Sequence, residues 1–394
     1  MDLSLSALLG EERTQARSGT ALGPWCDPLL GGAVLTLMIL GLVMVASASV
    51  SLADRQFGEP FYYAIRQAIY LGAGVSLAAM ILRTRLLYWE KSGLLLLVIG
   101  GALLIAVLIP GVGRQVNGST RWLPLGLINL QASELVKLFV IVYLAGYLVR
   151  RGEEVRNTMK GFIKPLVILA ALAVLLLLEP DFGTTAVMFA TSLGLLFLGG
   201  VRLWQFFGLL GVVVLAMTGL ALSSPYRMER LTTFLNPWAD PFNSGFQLTQ
   251  ALIAIGRGRW FGVGLGGSIQ KLFYLPEAHT DFLFAVLAEE LGLIGVVAVM
   301  VLFTLVVWRA FVIAHRAELG GNRFAAYLAY GIGMWIGLQA FINMGVNMGA
   351  LPTKGLTLPL MSYGGSSIVV MCMAVGLLMR VDYETRFPRG RVAP

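Results

Sequence analysis

The sequence predicts an all-α membrane protein, a polytopic helical bundle of about ten transmembrane helices. Of the 394 residues, 57% are hydrophobic and only 13% are charged. A water-soluble domain of this size needs more charge to cover its surface. Apolar runs of roughly 20 residues recur along the chain, and each is long enough to cross a bilayer as a helix. A single membrane domain over 1–394 therefore fits better than a set of soluble domains.

The apolar runs also give the order of the helices. We predict them at 28–50, 61–82, 93–110, 130–150, 163–179, 184–200, 203–223, 282–314, 324–350 and 357–382. The first run follows a polar tail and has no small-residue cleavage pattern behind it, so it is predicted to stay as a helix. An even number of helices places both termini on one side of the membrane.

The distribution of basic residues indicates which side that is, because cytoplasmic loops carry an excess of Lys and Arg. With both termini inside, 18 of the 29 basic residues fall in inner segments and 10 in outer ones. We therefore predict cytoplasmic tails at 1–27 and 383–394. The net charge of +8 does not indicate nucleic-acid binding, since these residues form no patch or stripe. Two cysteines fit neither a disulfide framework nor a metal cluster.

The longest polar break is predicted as a large extracytoplasmic loop at 224–281, between helices 7 and 8. Apolar and polar residues are mixed over 246–255 in a way that is typical of an amphipathic helix lying in the membrane interface. Loops this long are usually functional or disordered, and the aromatic and aliphatic content argues against disorder. The GVGLGG stretch at 262–267 does not follow a strand, so its glycines are interpreted as packing positions and not as a dinucleotide loop.

Ionisable residues at membrane depth are costly, so each needs an explanation. Glu134 and Lys137 are three residues apart and share one face of helix 4. Glu289 and Glu290 lie two turns into helix 8. The structural alternatives are a plain intrahelical pair for the first two and packing against backbone or Arg for the second two.

Further acidic residues lie at the predicted helix ends on the outer side. Asp281 begins helix 8, where it is either a catalytic carboxylate or a plain N-cap. Glu179 and Asp181 flank the gap between helices 5 and 6, where the alternative is a tight turn with a cap. The stretch 362–367, which begins with Ser362, is an irregular entry to the last helix. Such breaks line protein or a water-filled cavity, although a simple junction with a serine cap is the alternative.

All of these groups lie in the outer half of the predicted bundle, and we expect no comparable buried set in the inner half. The pattern predicts a polar cavity that opens to the outside and holds both signs of charge. Lys137, Lys354 and Arg121 are the candidates for binding a phosphate or pyrophosphate. A carboxylate at the rim is the candidate base.

Several long motifs, in order along nearly the whole chain, resemble those of the shape, elongation, division and sporulation (SEDS) family of bacterial membrane proteins. They are Arg121-Trp122, the QASELVK run at 131–137, EPDFGT at 179–184, the stretch 234–291, PTKG at 352–355 and LPLMSYGGS at 358–366. The amino-acid sequence of the loop at 256–281 resembles the division branch of the family more than the elongation branch.

The resemblance implies a peptidoglycan glycosyltransferase that polymerises lipid II into glycan strands at the outer face of the bacterial inner membrane. Lipid II is a disaccharide-pentapeptide on undecaprenyl pyrophosphate. The division branch implies septal cell wall synthesis, a class B penicillin-binding protein as the partner, and other division membrane proteins nearby. Two alternatives stay open: a flippase that carries lipid II across the membrane, and a division scaffold that activates a separate synthase.

The resemblance also assigns roles to residues. The catalytic carboxylate of the family maps onto Asp281, the proposed general base, which a helix N-terminus would keep ionised. Lys137, Lys354 and Arg121 would stabilise the departing pyrophosphate, and attack from the opposite face would invert the sugar configuration. Positions with a supporting role are Glu134, Glu179, Asp181, Gln247, Lys271, His279, Thr280, Glu290 and Ser362. No metal ligands are predicted, although the carboxylates are compatible with a divalent cation such as Mg²⁺ or Mn²⁺.

Overall fold

The structure is a computed structural model that describes residues 27–116, 119–124, 129–222, 234–243, 245–352 and 355–387. Within these ranges the chain forms eleven α-helices. They are α1 (Pro28–Phe57), α2 (Tyr62–Arg83), α3 (Leu86–Leu108), α4 (Ala132–Asn157), α5 (Met159–Leu178), α6 (Phe182–Leu198), α7 (Leu203–Leu222), α8 (Phe246–Gly258), α9 (Leu283–Leu319), α10 (Arg323–Asn347) and α11 (Gly365–Arg386).

The predicted all-α membrane bundle is confirmed. Eight of the described helices are long and apolar enough to cross a membrane, and the shorter apolar helices α6 and α7 occupy the two remaining predicted positions. In its most apolar segment α4 is 89% buried, whereas α2 is only 22% buried. Helix α4 is therefore at the centre of the bundle, and α2 presents most of its surface outward.

Small residues let the outer helices approach this central helix closely. A Cβ atom on Gly93 of α3 would lie 3.3 Å from the Cα of Tyr143. Two turns further along α3, a Cβ on Gly100 would lie 3.1 Å from the side chain of Val136. Both glycines are buried on the α4 side of α3. The close approach of α3 to α4 thus depends on the small size of these two glycines, which a hydropathy pattern does not show.

A small antiparallel sheet connects α3 to α4, in a region where the sequence predicted only a connection between helices. Its strands are β1 (Arg114–Val116), β2 (Ser119–Pro124) and β3 (Asn129–Gln131), in the spatial order β1-β2-β3. Strands of three to six residues are too short to give a clear alternation of apolar and polar residues. The sheet matters because β2 carries Arg121 and β3 leads directly into α4.

The long loop is anchored to a break in α9. Gly292 has φ 64° and ψ −164°, so the helical hydrogen-bond ladder is interrupted there. The loop supplies replacement partners: Val263 N donates to Glu289 O at 3.0 Å, and Leu293 N donates to Arg259 O at 2.9 Å. The predicted packing role of the glycine stretch is confirmed at Gly262, where a Cβ would lie 2.1 Å from the carbonyl oxygen of residue 290.

The predicted helix in the middle of the loop is also present, as α8. Its apolar residues Leu248, Ala251 and Ala254 are buried. They pack against the bundle, chiefly against α9 and also against α10. The helix is therefore a packed part of the protein fold, while its relation to a membrane surface stays a prediction.

Two predictions are wrong: the start of the last helix and the absence of a buried charged cluster in the inner half. The last helix begins at Gly365, eight residues later than expected, and 355–364 is irregular. Buried charge is also present at the opposite end of the bundle, where Arg309 and Arg386 both contact the buried carboxylate of Asp27. The sequence placed Asp27 and Arg386 in the cytoplasmic tails, but α11 extends to Arg386, so that Asp27 contacts both this residue and Arg309 of α9.

Candidate functional site

Among the described residues, no group pairs with the carboxylate of Asp281, although the Asp281 backbone is held tightly. The N-cap position of α9 is Phe282, and no side chain donates or accepts a capping bond there. The plain N-cap alternative for Asp281 is therefore wrong. Its backbone carbonyl accepts hydrogen bonds from Asn343 Nδ2 at 2.9 Å and Asn347 Nδ2 at 3.0 Å. Its carboxylate lies beside Gly355, where an added Cβ would be 3.0 Å from Oδ2.

The surroundings of Asp281 favour its protonated form. Burial raises the pKa of this carboxyl to about 7, and the negative charges of Glu277 and Asp181 add to the rise, while Arg121 opposes it. The expectation that a helix N-terminus keeps Asp281 ionised is therefore wrong, because desolvation is the largest effect. A carboxyl with a pKa near neutral pH is well matched to accept a proton during a reaction.

Arg121 holds the turn between α5 and α6. Its Nε donates to the carbonyl oxygen of Glu179 at 3.1 Å, and its Nη2 donates to that of Pro180 at 2.6 Å. Both acceptors are neutral backbone groups, so no carboxylate neutralises the guanidinium through these bonds. Arg121 is also the cation whose charge acts on Asp281. An anion placed between Arg121 and Asp281 would therefore meet positive charge from the β2 side.

The two acidic residues of this turn behave differently. Asp181 caps α6, because its carboxylate accepts from Thr184 N at 3.2 Å, and it also accepts from Ser133 Oγ at 3.0 Å. The cap alternative is confirmed for Asp181. Glu179 is fully buried, and neither of its carboxyl oxygens has a partner among the described residues. Burial raises the pKa of Glu179 to about 8, with a further contribution from the Asp181 charge, so Glu179 is mainly neutral at pH 7.

Lys137 lies in a closed cluster and not in an open cavity. Only 2% of its surface is exposed. Its ammonium donates to Glu134 Oε1 at 2.9 Å and to Gln339 Oε1 at 2.8 Å, and it lies 5.1 Å from the centre of the Trp335 ring. The intrahelical pair with Glu134 is confirmed. The predicted outward-open cavity does not reach this pair, because α4 is enclosed by other helices along most of its length.

A stripe of amides on α10 belongs to the site and was missed in the sequence. Gln339, Asn343 and Asn347 are spaced four residues apart and are nearly or fully buried. Gln339 Nε2 donates to the carbonyl of Thr357 at 3.0 Å, and Asn343 Nδ2 donates to that of Leu356 at 2.6 Å. The stripe therefore connects the Lys137 cluster, the irregular segment and the backbone of Asp281. Polar side chains at i, i+4 and i+8 in an apolar helix were the available signal.

Glu289 and Glu290 act as packing partners of the loop, as the structural alternative predicted. Glu289 accepts a hydrogen bond from Ile269 N at 3.1 Å, and Glu290 pairs with Lys271 at 2.7 Å. The hydroxyl of Ser47 on α1 donates to Glu290 at 2.7 Å. Lys271 and Glu290 thus hold the loop against α9 and α1. They support the site through the position of the loop.

His279 and Thr280 shape the segment before Asp281. The His279 ring is buried and packs against Tyr63 and Tyr363, with ring centres 4.6 Å and 5.5 Å apart. Burial lowers the pKa of His279, which keeps the ring neutral at pH 7. Thr280 Oγ1 donates to Glu277 Oε2 at 2.7 Å, so the carboxylate nearest in sequence to Asp281 is directed to Thr280.

The other predicted positions have varied surroundings. Ser362 Oγ accepts from Leu358 N at 2.9 Å, which stabilises the irregular entry before α11. Gln247 is exposed on α8. Lys354 lies outside the described residues. Among the residues that the structure does describe, no group of three or more His, Cys, Asp or Glu is placed to hold a metal ion.

Comparison with known sequences gives consistent matches over almost the whole chain. The model of the FtsW, RodA and SpoVE family, described as cell cycle proteins, matches residues 29–387. The probable peptidoglycan glycosyltransferase FtsW of Nitrosococcus halophilus is 61% identical over 375 residues, which cover 95% of this chain and 96% of the relative. The protein with the same name from Thioalkalivibrio sulfidiphilus is 62% identical over 352 residues, which cover 89% and 88%.

Solved structures agree with the fold. A chain from work on the structural coordination of polymerization and crosslinking by a peptidoglycan synthase complex matches with a TM-score of 0.76 and 28% identity, over 94% of this chain and 100% of that one. The rod shape determining protein RodA of Thermus thermophilus matches with a TM-score of 0.67 and 27% identity, over 94% and 99%.

Proposed function

Because the chain belongs to the FtsW, RodA and SpoVE family of cell cycle proteins, which is the SEDS family of the sequence resemblance, we propose that it polymerises lipid II at the division septum. The protein is a peptidoglycan glycosyltransferase of the division type. Lipid II as the substrate and the septum as the location are the proposed part.

The observation that carries the mechanism is the carboxylate of Asp281, which has no partner among the described residues. It belongs to a backbone fixed by two amides of α10, it makes no capping bond, and its pKa is near 7. Asp281 accepts the proton of the attacking sugar hydroxyl as the new bond forms between that oxygen and the anomeric carbon of the donor. The bond from the anomeric carbon to the pyrophosphate breaks, and displacement from the opposite face inverts the configuration.

The departing pyrophosphate needs positive charge within the same site. Arg121 supplies it among the described residues, since its guanidinium acts on Asp281 and is bonded only to neutral backbone carbonyls in this turn. Lys354 is assigned the same role. Lys137 does not contact the pyrophosphate directly, because its ammonium is already bound by Glu134 and Gln339. It fixes the α10 stripe and adds its charge from a distance.

The described carboxylates do not offer three metal ligands at one point. A divalent cation would therefore be held mainly by the phosphates of the substrate, and no step of the mechanism depends on it. Neutral Glu179 would be a poor ligand at pH 7, since its pKa is raised to about 8.

We also propose the surroundings of the enzyme. Similarity to a chain of a peptidoglycan synthase complex supports a penicillin-binding protein as the partner, and we assign a class B member. The excess of Lys and Arg in the segments that share a side with the termini supports cytoplasmic tails. Asp281 would then act at the outer face of the membrane, where lipid II is presented to the partner.

The experiment is reconstitution of the purified chain with its penicillin-binding partner and lipid II, followed by separation of glycan strands by length. Wild type is expected to form strands, whereas Asp281→Asn forms none. The matched control is Asp54→Asn, which removes an exposed carboxylate near the end of α1. Equal strand formation by Asp281→Asn and wild type would exclude Asp281 as the base.

The same preparation separates the alternative functions. A flippase forms no strands but moves lipid II between the leaflets of sealed vesicles, with or without Asp281. A scaffold forms no strands alone and raises the rate of a separate synthase. The buried charges at the end opposite Asp281 do not themselves favour a flippase, because Asp27 and Arg309 are paired with each other.

A further inference from the structure

A cavity lies at the end of the bundle opposite Asp281, and no step of the proposed reaction uses it. Its volume is about 520 Å³, and it lies between the start of α3, the corner between α9 and α10, and the end of α11. A water molecule in the liquid occupies about 30 Å³. The cavity therefore has room for a polar headgroup many times larger than water.

The charges in this cavity do not balance. Three charged residues line it, namely Arg85, Arg380 and Glu384. The Glu384 carboxylate is already used twice, since it pairs with Arg380 at 2.7 Å and accepts from Leu86 N at 3.1 Å. Arg85 is exposed, and its side chain has no hydrogen-bond or ion-pair partner in the described part of the chain. One guanidinium is thus available to an anion.

The local backbone adds to this preference. Arg85 is the N-cap residue of α3, makes no side-chain capping bond, and is followed by a first turn without acidic residues. A helix N-terminus carries partial positive charge and favours anions nearby. Glu384 already accepts from Leu86 N, so an anion beside Arg85 would meet the full charge of Arg85 and only the part of the helix-end charge that remains.

Two of the residues that line the cavity are exposed and apolar. Leu87 and Phe387 line the cavity and are 50% and 44% exposed. Leu87 is in the first turn of α3, and Phe387 directly follows α11; both helices are long and apolar enough to cross a membrane. Basic pockets between transmembrane helices at this depth bind anionic lipid headgroups. A free phosphate would use Arg85 but would leave these apolar side chains in water.

We propose that this cavity binds the phosphodiester headgroup of an anionic glycerophospholipid, with Arg85 contacting the phosphate and the acyl chains lying along Leu87 and Phe387. The site is separate from the one that contains Asp281, and its occupation does not depend on glycosyl transfer.

The test uses the full-length protein in detergent, titrated with phosphatidylglycerol or phosphatidylcholine, with bound lipid counted by native mass spectrometry. Phosphatidylglycerol is expected to bind with at least about ten-fold lower Kd, and Arg85→Gln should remove most of that preference, the effect of one charge-assisted hydrogen bond. The matched control is Arg83→Gln, which removes an exposed arginine two residues earlier that does not line the cavity. It should change the Kd by no more than about two-fold.

A second variant fills the cavity without removing charge. Gly320 lines it with φ −72°, and a Cβ there meets only ordinary contacts with the carbonyl oxygens of Arg316 and Ala317. Gly320→Leu should therefore fold and bind phosphatidylglycerol more weakly, with thermal unfolding as the check on folding. Equal losses in Arg83→Gln and Arg85→Gln, or no preference for phosphatidylglycerol, would overturn the proposal. Displacement of the lipid by millimolar inorganic phosphate would identify a free-phosphate site instead.

Discussion

Asn343 fixes the backbone of Asp281 to the opposite wall of the site. Its side-chain amide donates to the carbonyl oxygen of Asp281 at 2.9 Å and, with the same nitrogen, to that of Leu356 at 2.6 Å. One amide thus sets the distance between the end of the long loop and the irregular segment before α11. Asn347, one turn away, holds the Asp281 carbonyl from the other side and accepts from Ala285 N.

Asn343→Ala should lower the rate of glycan polymerisation by about 100-fold, because a displacement of about 1 Å at the reacting groups costs that much. Two hydrogen bonds to backbone carbonyls are lost, so the free energy of unfolding should also fall by about 2 kcal/mol. Strand formation and thermal unfolding in detergent measure the two effects.

The control for that substitution is Asn243→Ala, which removes an exposed amide in the long loop that contacts Asp240 at 3.0 Å. It should change neither quantity appreciably. A polymerisation rate for Asn343→Ala within about two-fold of wild type would show that the position of the Asp281 backbone does not depend on this amide.

The polymerisation rate should rise with pH through about 7 and level off above it. The sign follows from the role of Asp281: a base is active when deprotonated, and burial raises its pKa to about 7. Glu277→Gln should shift the midpoint to lower pH, because the neighbouring negative charge contributes to the raised pKa. Initial rates across a pH series, at lipid II concentrations well below KM, report the free enzyme and measure both midpoints.

Glu59→Gln is the matched control for the pH series, since it removes an exposed carboxylate from the connection between α1 and α2. Its midpoint should equal that of wild type. An unchanged midpoint in Glu277→Gln, or a rate that falls as pH rises through 7, would contradict the assignment of Asp281 as the titrating base.

Lys137→Met should unfold at a lower temperature than wild type and lose polymerisation activity. The substitution leaves the buried carboxylate of Glu134 without its ionic partner, which costs about 3–5 kcal/mol. Adding Glu134→Gln removes that charge, so the double variant should recover much of the stability while activity stays low. Thermal unfolding and strand formation of wild type and both variants give the comparison.

Lys91→Met, which removes an exposed lysine from α3, provides the reference for losing one positive charge. It should leave both the unfolding temperature and the activity unchanged. Recovery of activity together with stability in the double variant would assign Lys137 a purely structural role.

Gly292→Ala should lower the free energy of unfolding by at least about 2 kcal/mol, since an alanine is strained at φ 64°. Its Cβ would also lie 2.3 Å from the backbone nitrogen of Gly262, which would push the loop away from α9. Gly256→Ala is the matched control, because Gly256 lies within α8 and a Cβ there meets nothing within 4 Å. That change should stabilise the protein by roughly 0.5–1 kcal/mol. Thermal unfolding measures the stability of both variants. Equal stabilities of Gly292→Ala and Gly256→Ala would contradict the tight contact between the loop and α9.

The sequence located Asp281 because a helix-start carboxylate after a long polar loop is visible in one dimension. It did not locate Asn343 or Gln339, because an amide within an apolar helix has no charge to mark it and its acceptors in the irregular segment are 13 or more residues away. The small sheet that carries Arg121 was also missed, since its strands pair through contacts that only a folded connection provides.

The amino-acid sequence by itself determined the membrane bundle, the order of its ten apolar helices, the long loop and the family, because hydropathy and motif order are properties of contiguous residues. The tertiary structure alone decided the state of each charge. Lys137 became enclosed, Asp281 stayed without a partner among the described residues and with a pKa near 7, and Glu290 became a support for the loop. Desolvation and pairing depend on which helices surround a group, and neighbours from distant parts of the chain are fixed only by packing.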